Sequence, residues 1–187
     1  MKTTLSTLAA AAALLALAPN PAQAYWGFGV GPSKIDINCA GTLTCDRTDT
    51  GGKLYLGWNL PGPFAIEASL IDWGKARSTS PAGLGGANDL KTRARGLAVD
   101  GVYVMTFGWG QCDVRAGMAY NRARTTVTVN GTASSGNHNL TAPHAGFGCA
   151  YPLMPGLTLA ATLDLSRVKY TAQDKANSQL ITIGLRF

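Results

Sequence analysis

The stretch "KLYLGWNLPGPFAIEASL", Lys53 to Leu70, decides the fold. Leu54, Leu56 and Trp58 alternate with Lys53, Tyr55 and Gly57. After "NLPGP" (Asn59 to Pro63), Phe64, Ile66, Ala68 and Leu70 alternate with Ala65, Glu67 and Ser69. Successive side chains of a strand point to opposite faces. Each run therefore has one aliphatic and aromatic face and one small or charged face. Two such runs around a Gly/Pro turn predict an antiparallel hairpin.

The same period recurs in both directions. It runs through Leu97–Tyr103, Asp113–Asn121, His144–Tyr151, Leu157–Leu165 and Ile181–Phe187. A first strand near Tyr25–Ile37 brings the number of predicted strands to eight. Its alternation changes parity near Pro32, which predicts an irregularity or bulge there. Almost no segment carries a helical period.

The connections alternate as well. "NLPGP", "FGWGQ" (Phe107 to Gln111) and "PLMPG" (Pro152 to Gly156) are short. About Asn38–Thr50, Gly74–Thr92, Ala123–Thr141 and Lys169–Asn177 are long and polar. Short turns at one end and long loops at the other predict an all-β, eight-stranded antiparallel up-and-down transmembrane barrel with periplasmic turns and extracellular loops. A soluble barrel of the same size keeps its apolar face inside. Here the small and charged face suits a narrow lumen, and the aliphatic face is left for lipid. Trp26, Trp58, Phe64, Tyr103, Phe107, Trp109, Tyr151 and Phe187 fall at the short-turn end, as an interfacial girdle would.

Composition agrees with this reading. The chain has 187 residues, 46% of them hydrophobic and only 14% charged, which excludes a disordered chain. Its net charge is +6, but the bases form no run, so no nucleic-acid partner is expected. Residues 1–24 read as a signal peptide: Lys2, an apolar stretch, Pro19 and Pro21, then "AQA". Residues 25–187 would form the barrel domain. No later run is long and apolar enough for a membrane helix.

The stretch "DRTDTGGKLYLGWNLPGPFAIEASLIDWGKA" (Asp46 to Ala76) resembles the second hairpin of small Gram-negative outer-membrane barrels of the OmpA-transmembrane and OmpX-like group. The ending "LITIGLRF" is similar to the terminal strand of that group. The resemblance implies an outer-membrane location. It also implies that Ile181, Ile183, Leu185 and Phe187 form the signal read by the barrel assembly machinery. Members of the group serve membrane integrity, adhesion, stress resistance or leakage of small solutes. The resemblance thus implies place and fold more than task.

Four cysteines in an exported chain suggest disulfides. Cys39 and Cys45 would close the first loop. Cys112 and Cys149 share a face near the rim, where they form a cross-strand bond or pack as two small apolar fillers. No cofactor is expected, and no metal site, because neither histidine falls at ligand spacing. Glu67, Asp100, Asp113, Arg115, Asp164 and Arg186 share the lumen face. Charges in so narrow a space must pair, so they predict an ion network centred on Glu67 and Arg115. A gated path for small ions is the alternative.

Most of the remaining bases lie beside the long loops. Arg93, Arg95, Arg122, Arg124 and Arg167 are candidates for contact with lipopolysaccharide phosphates; a merely solvated rim is the alternative. His138 is expected in a loop and His144 in the lumen. Neither has the serine that a deacylase would need, so no enzyme is expected. The expected role is structural: membrane integrity and surface interaction. A low-conductance channel, or an adhesin reaching a host or cell-surface ligand through its loops, stands as the alternative.

Overall fold

The computed structural model describes residues 24–80, 89–129 and 131–187. The expected signal peptide lies almost wholly outside the described residues. Nine strands are present among the described residues: β1 (Ala24–Ile35), β2 (Thr44–Asp46), β3 (Thr48–Asn59), β4 (Phe64–Thr79), β5 (Asp89–Phe107), β6 (Gly110–Val129), β7 (Thr132–Met154), β8 (Leu157–Lys169) and β9 (Lys175–Arg186). Eight of them pair antiparallel in chain order, and β1 pairs with β9 to close the ring. The short β2 adds to the far end of β4, Thr44 opposite Thr79.

The turn end has three tight connections, Leu60–Pro63, Gly108–Trp109 and Pro155–Gly156. At the other end the strands overrun the ring. The segment Ala123–Thr141, expected as a loop, is mostly ladder: Val129 pairs with Thr132 across Gly131, whose φ of +81° suits a turn glycine. His138 accordingly sits on β7 opposite Ala123, not in a loop.

No bulge forms near Pro32, but an irregularity does: the pairing of β1 with β9 lapses at Gly31 and Pro32, between Val30↔Ile183 and Ser33↔Leu180. From Ala24↔Trp58 to Lys34↔Thr48 the β1–β3 register runs without a shift. The side chains keep their parity; only the chemistry changes. Trp26, Phe28 and Val30 point outward, and then Ile35 and Ile37 point inward while Lys34 points out. Other strands invert at the same level. Leu70 is outside and Ile71 and Trp73 inside; Ile183 and Ile181 are outside and Leu180 inside. Below this level the outside is hydrocarbon and above it the outside is water, so the apolar residues change sides. A bulge does occur on β4, between Asp72 and Lys75. There Gly74 takes a φ of +75°, and a Cβ would crowd the Ser33 hydroxyl at 2.5 Å.

The interior is layered rather than uniformly polar. At the turn end Tyr25 and Tyr55 pack edge to face, with Ala65 and Val102 beside them. A Cβ on Gly57 would collide with the Tyr25 ring, so Gly57 makes that packing possible. Ionisable groups fill the middle. The outer half is an apolar plug of Ile35, Ile37, Ile71, Trp73, Val168, Tyr170 and Leu180, closed by alanines of β5 and β6. That outer apolar layer departs from the expected small and charged lining, because this part of the barrel stands in water and keeps its core inside.

Candidate functional site: lumen network and outer basic cleft

The strands from β3 to β8 each send an ionisable side chain into the middle of the lumen. Lys53 Nζ lies 2.9 Å from Glu67 Oε1 and 3.0 Å from Asp164 Oδ1. Arg115 Nη1 donates to Glu67 Oε1 at 3.1 Å, and Arg115 also approaches Asp113 and Asp164 at 3.3 and 3.7 Å. His144 Nδ1 sits 2.8 Å from Asp100 Oδ1, with its Nε2 3.5 Å from Asp164. Lys53, Glu67, Asp100, Asp164 and His144 are fully buried. Glu67, Asp113, Arg115 and Asp164 are thus in one cluster, and Asp100 joins through His144. Arg186 stays apart, its guanidinium 4.1 Å above the Tyr25 ring. Lys53 is the member that sequence reasoning missed, although its parity with Tyr55 and Gly57 places it on that face.

The outer wall carries the opposite chemistry in two zones. The lower zone is a continuous apolar belt. Ile183, Val30 and Leu70 are each more than half exposed. Soluble monomers rarely present such a surface. The girdle at the turn end includes Trp26 stacked on Phe187 at 4.4 Å and Phe107 on Trp109 at 5.7 Å. Backbone bonds between Trp26 and Phe187 fasten the last residue there. Ile181 and Ile183 face lipid, and Leu185 is half-buried. Cys112 and Cys149 are direct cross-strand partners near this end and form a disulfide with Cα atoms 4.0 Å apart. Cys39 and Cys45 form the other, across the first loop.

Immediately above the belt, β4, β5 and β6 turn six bases outward. Lys75, Lys91, Arg93, Arg95, Arg122 and Arg124 line one cleft of about 770 Å³. The ladder places Arg93 opposite Arg124 and Arg95 opposite Arg122. Like charges directly opposed repel. Asp72 answers part of that charge, accepting from Arg93 Nη2 at 2.6 Å and Arg95 Nε at 3.3 Å. Partial burial disfavours its charged form, but the Arg93 hydrogen bond, the Gly74 N–H and both guanidinium charges outweigh this and hold the carboxyl below its usual range. Arg167 does not join the cleft. It lies on β8, in a separate groove with Pro143, Leu165 and Gln179.

An apolar belt, an aromatic girdle and a closed ring of antiparallel strands describe a membrane-spanning barrel, and the sequence matches the outer membrane protein beta-barrel domain over residues 5–187. The chain belongs to this outer-membrane β-barrel family. No curated protein matches it in sequence. Among solved structures it is similar to Neisserial surface protein A, with 12% identity, a TM-score of 0.59, and coverage of 87% of this chain and 95% of that one. It is also similar to OprG from Pseudomonas aeruginosa, with 13% identity, a TM-score of 0.56, and coverage of 88% and 96%. A third is Ail from Yersinia pestis in complex with the heparin analogue sucrose octasulfate, with 12% identity, a TM-score of 0.55, and coverage of 88% and 98%. The protein is therefore an integral barrel of the Gram-negative outer membrane. Its turn end is periplasmic and its overrunning strands are extracellular.

Proposed function

We propose that this family member is a sealed, non-catalytic structural barrel that supports outer-membrane integrity by binding lipopolysaccharide phosphates on its outer wall. The observation that carries the reading is the six-base cleft standing directly on the lipid belt. Guanidinium forks match phosphate oxygens geometrically, and a cleft just beyond the lipid-facing belt is within reach of outer-leaflet headgroups in this reading. Asp72 satisfies only two of the six bases. Ail, which shares the fold, forms a complex with the heparin analogue sucrose octasulfate, and a polyanionic ligand on such a barrel is in keeping with this chemistry. Arg167 would meet a separate phosphate on the β8 side. In this reading the terminal strand Ile181–Phe187 serves the barrel assembly machinery during insertion.

The test uses charge reversal. R93E, R122E and R124E together should lower lipopolysaccharide retention on the purified folded barrel at least tenfold. They should also make cells more sensitive to EDTA and to large antibiotics. An unchanged lipopolysaccharide content would overturn the proposal.

A further inference from the structure

Seven outward-facing ladder partners, Gln179, Leu165, Ala145, Ala116, Gly101, Ile66 and Trp58, form one row across the wall from β9 to β3. The row starts at the upper edge of the apolar belt and ends in the girdle at the turn end. It therefore crosses the belt obliquely. Its members on β7, β6 and β5 are all small. A Cβ on Gly101 would meet nothing nearer than the Ala116 carbonyl oxygen at 3.8 Å. The flanking rows are large: Met118 and Val99 stand above, and Phe147, Val114 and Tyr103 below. Each of these five is about half exposed. The wall is thus grooved, with Ala145, Ala116 and Gly101 as the floor. From Leu165 to Ile66 the row covers four strand spacings, about 19 Å.

The upper end of the groove meets a hollow of about 440 Å³ bordered by Pro143, Leu165, Arg167, Asn177 and Gln179. Asn121 Nδ2 donates to the Arg167 carbonyl at 2.7 Å, and Thr125 Oγ1 to the Tyr170 carbonyl at 2.6 Å. These bonds hold the upper end of β8 against β6 and leave the hollow on its outward side. Arg167 pairs with Asn177 and Leu165 with Gln179, so a guanidinium and two amides crown an apolar foot. Unlike Arg93 and Arg95, which share Asp72, Arg167 has no carboxylate partner among the described residues.

We propose that the hollow and groove hold one lipopolysaccharide molecule as a resident lipid, with a phosphate at Arg167 and an acyl chain laid along Ala145, Ala116 and Gly101. Ligand sites are concave and mostly apolar, with a few polar groups that fix orientation. On a convex wall a lipid chain is touched from one side. In the groove it meets a floor and two banks, and the dispersion contacts add up. The hollow lies at the extracellular edge of the belt, where lipopolysaccharide is the surrounding lipid, and Arg167 matches its phosphate in charge. This rests on the reading that the outer wall binds lipopolysaccharide, and assigns it a second site that uses none of the six bases of the cleft.

The test is made in the R93E, R122E and R124E background, so that the groove is the site measured. The folded barrel in detergent micelles, with labelled alanine methyls, is titrated with deep-rough lipopolysaccharide. Binding should saturate at one molecule per barrel. It should shift the methyls of Ala116 and Ala145 but not those of Ala68 and Ala161, which face lipid outside the groove. A116L with A145L fills the floor while keeping it apolar, and R167Q removes the cation without touching the belt. Each should weaken binding at least tenfold. Equal shifts at all four alanines would reduce the groove to ordinary lipid contact and overturn the proposal. Unchanged affinity in either variant, equal affinity for phosphatidylglycerol, or no binding at all would also overturn it. The two sites fail separately. If the three reversed arginines leave total retention unchanged while A116L with A145L lowers it, the cleft falls and the groove stands; if they abolish retention entirely, the groove falls.

Discussion

Arg115 is buried among three carboxylates, so its removal leaves Glu67 and Asp164 to share Lys53 and takes from Asp113 its ion-pair partner. Breaking a buried pair from one side costs about 3–5 kcal/mol. R115M should lower the stability of the refolded barrel by that amount, read from urea unfolding in vesicles by tryptophan fluorescence. A loss below about 1 kcal/mol would mean that water reaches the cluster. Asp72 gives a different residue-scale prediction, because it competes with phosphate for Arg93 and Arg95. Its folded value is lowered, so its ion pairs are fully present above the ordinary carboxylate range and are lost as the pH falls through the lowered value. Anion binding by the cleft should therefore strengthen at that low pH, and D72N should bind anions as strongly at neutral pH. The check is the pH dependence of sulfate or phosphate binding to both forms; no difference between them would remove Asp72 from the cleft. Lys53 shows what alternation leaves out. Parity assigns a residue's face but not its height or its partner across the lumen, and Lys53 meets Asp164 from 111 positions away.

At the scale of the strand, the informative pattern is the inversion of hydrophobic sides at the membrane boundary. Ile183 and Gln179 both point outward on β9, two repeats of the pleat apart. If the boundary lies between them, the same new charge has unequal costs. I183R should destabilise by about 2–4 kcal/mol and Q179R by about 0–1 kcal/mol. Equal costs by urea titration in vesicles would put the boundary elsewhere. The inversion also explains how much of the fold was legible. Alternation found the eight ring strands and the tight turns, because those turns carry Gly and Pro and the lipid-facing runs are uniformly apolar. At Pro32 on β1 it read a change of parity where the surroundings change and the side-chain alternation does not, although the ladder to β9 is interrupted there. It also left the β6–β7 hairpin as a loop, because Ala123–Thr141 is polar on both faces once the strands rise into water. The cysteines opposite each other on β6 and β7 could be placed on one face from parity alone. The split of Arg167 from the other arginines could not, since it depends on which strand pairs where. The extent of each ladder lies outside periodicity altogether: among the described residues β8 joins β7 only from Ala145↔Leu165.

For the molecule as a whole, the order of the interior layers decides whether anything passes. Ions entering from the periplasmic side would meet Tyr25 and Tyr55, then the cluster of ionisable groups, and then an apolar layer in which Trp73 is fully buried and fixed by its Nε1 donating to Asn121 Oδ1 at 2.9 Å. Charged groups in a lumen can relay ions when water accompanies them, but an apolar constriction bars water as well. The reading of a sealed barrel therefore puts the barrier in the outer plug and not in the ion network. In planar bilayers the unmodified barrel should show no resolved current steps. E67Q, which disturbs the network, should remain silent even though it is less stable. W73A with L180A, which removes the plug's largest side chain and one neighbour but leaves every charge in place, should produce small steps. Conduction by E67Q alone would move the barrier into the network. Steps from the unmodified protein would show that the plug opens at rest, and the reading of a sealed structural barrel would give way to that of a narrow channel.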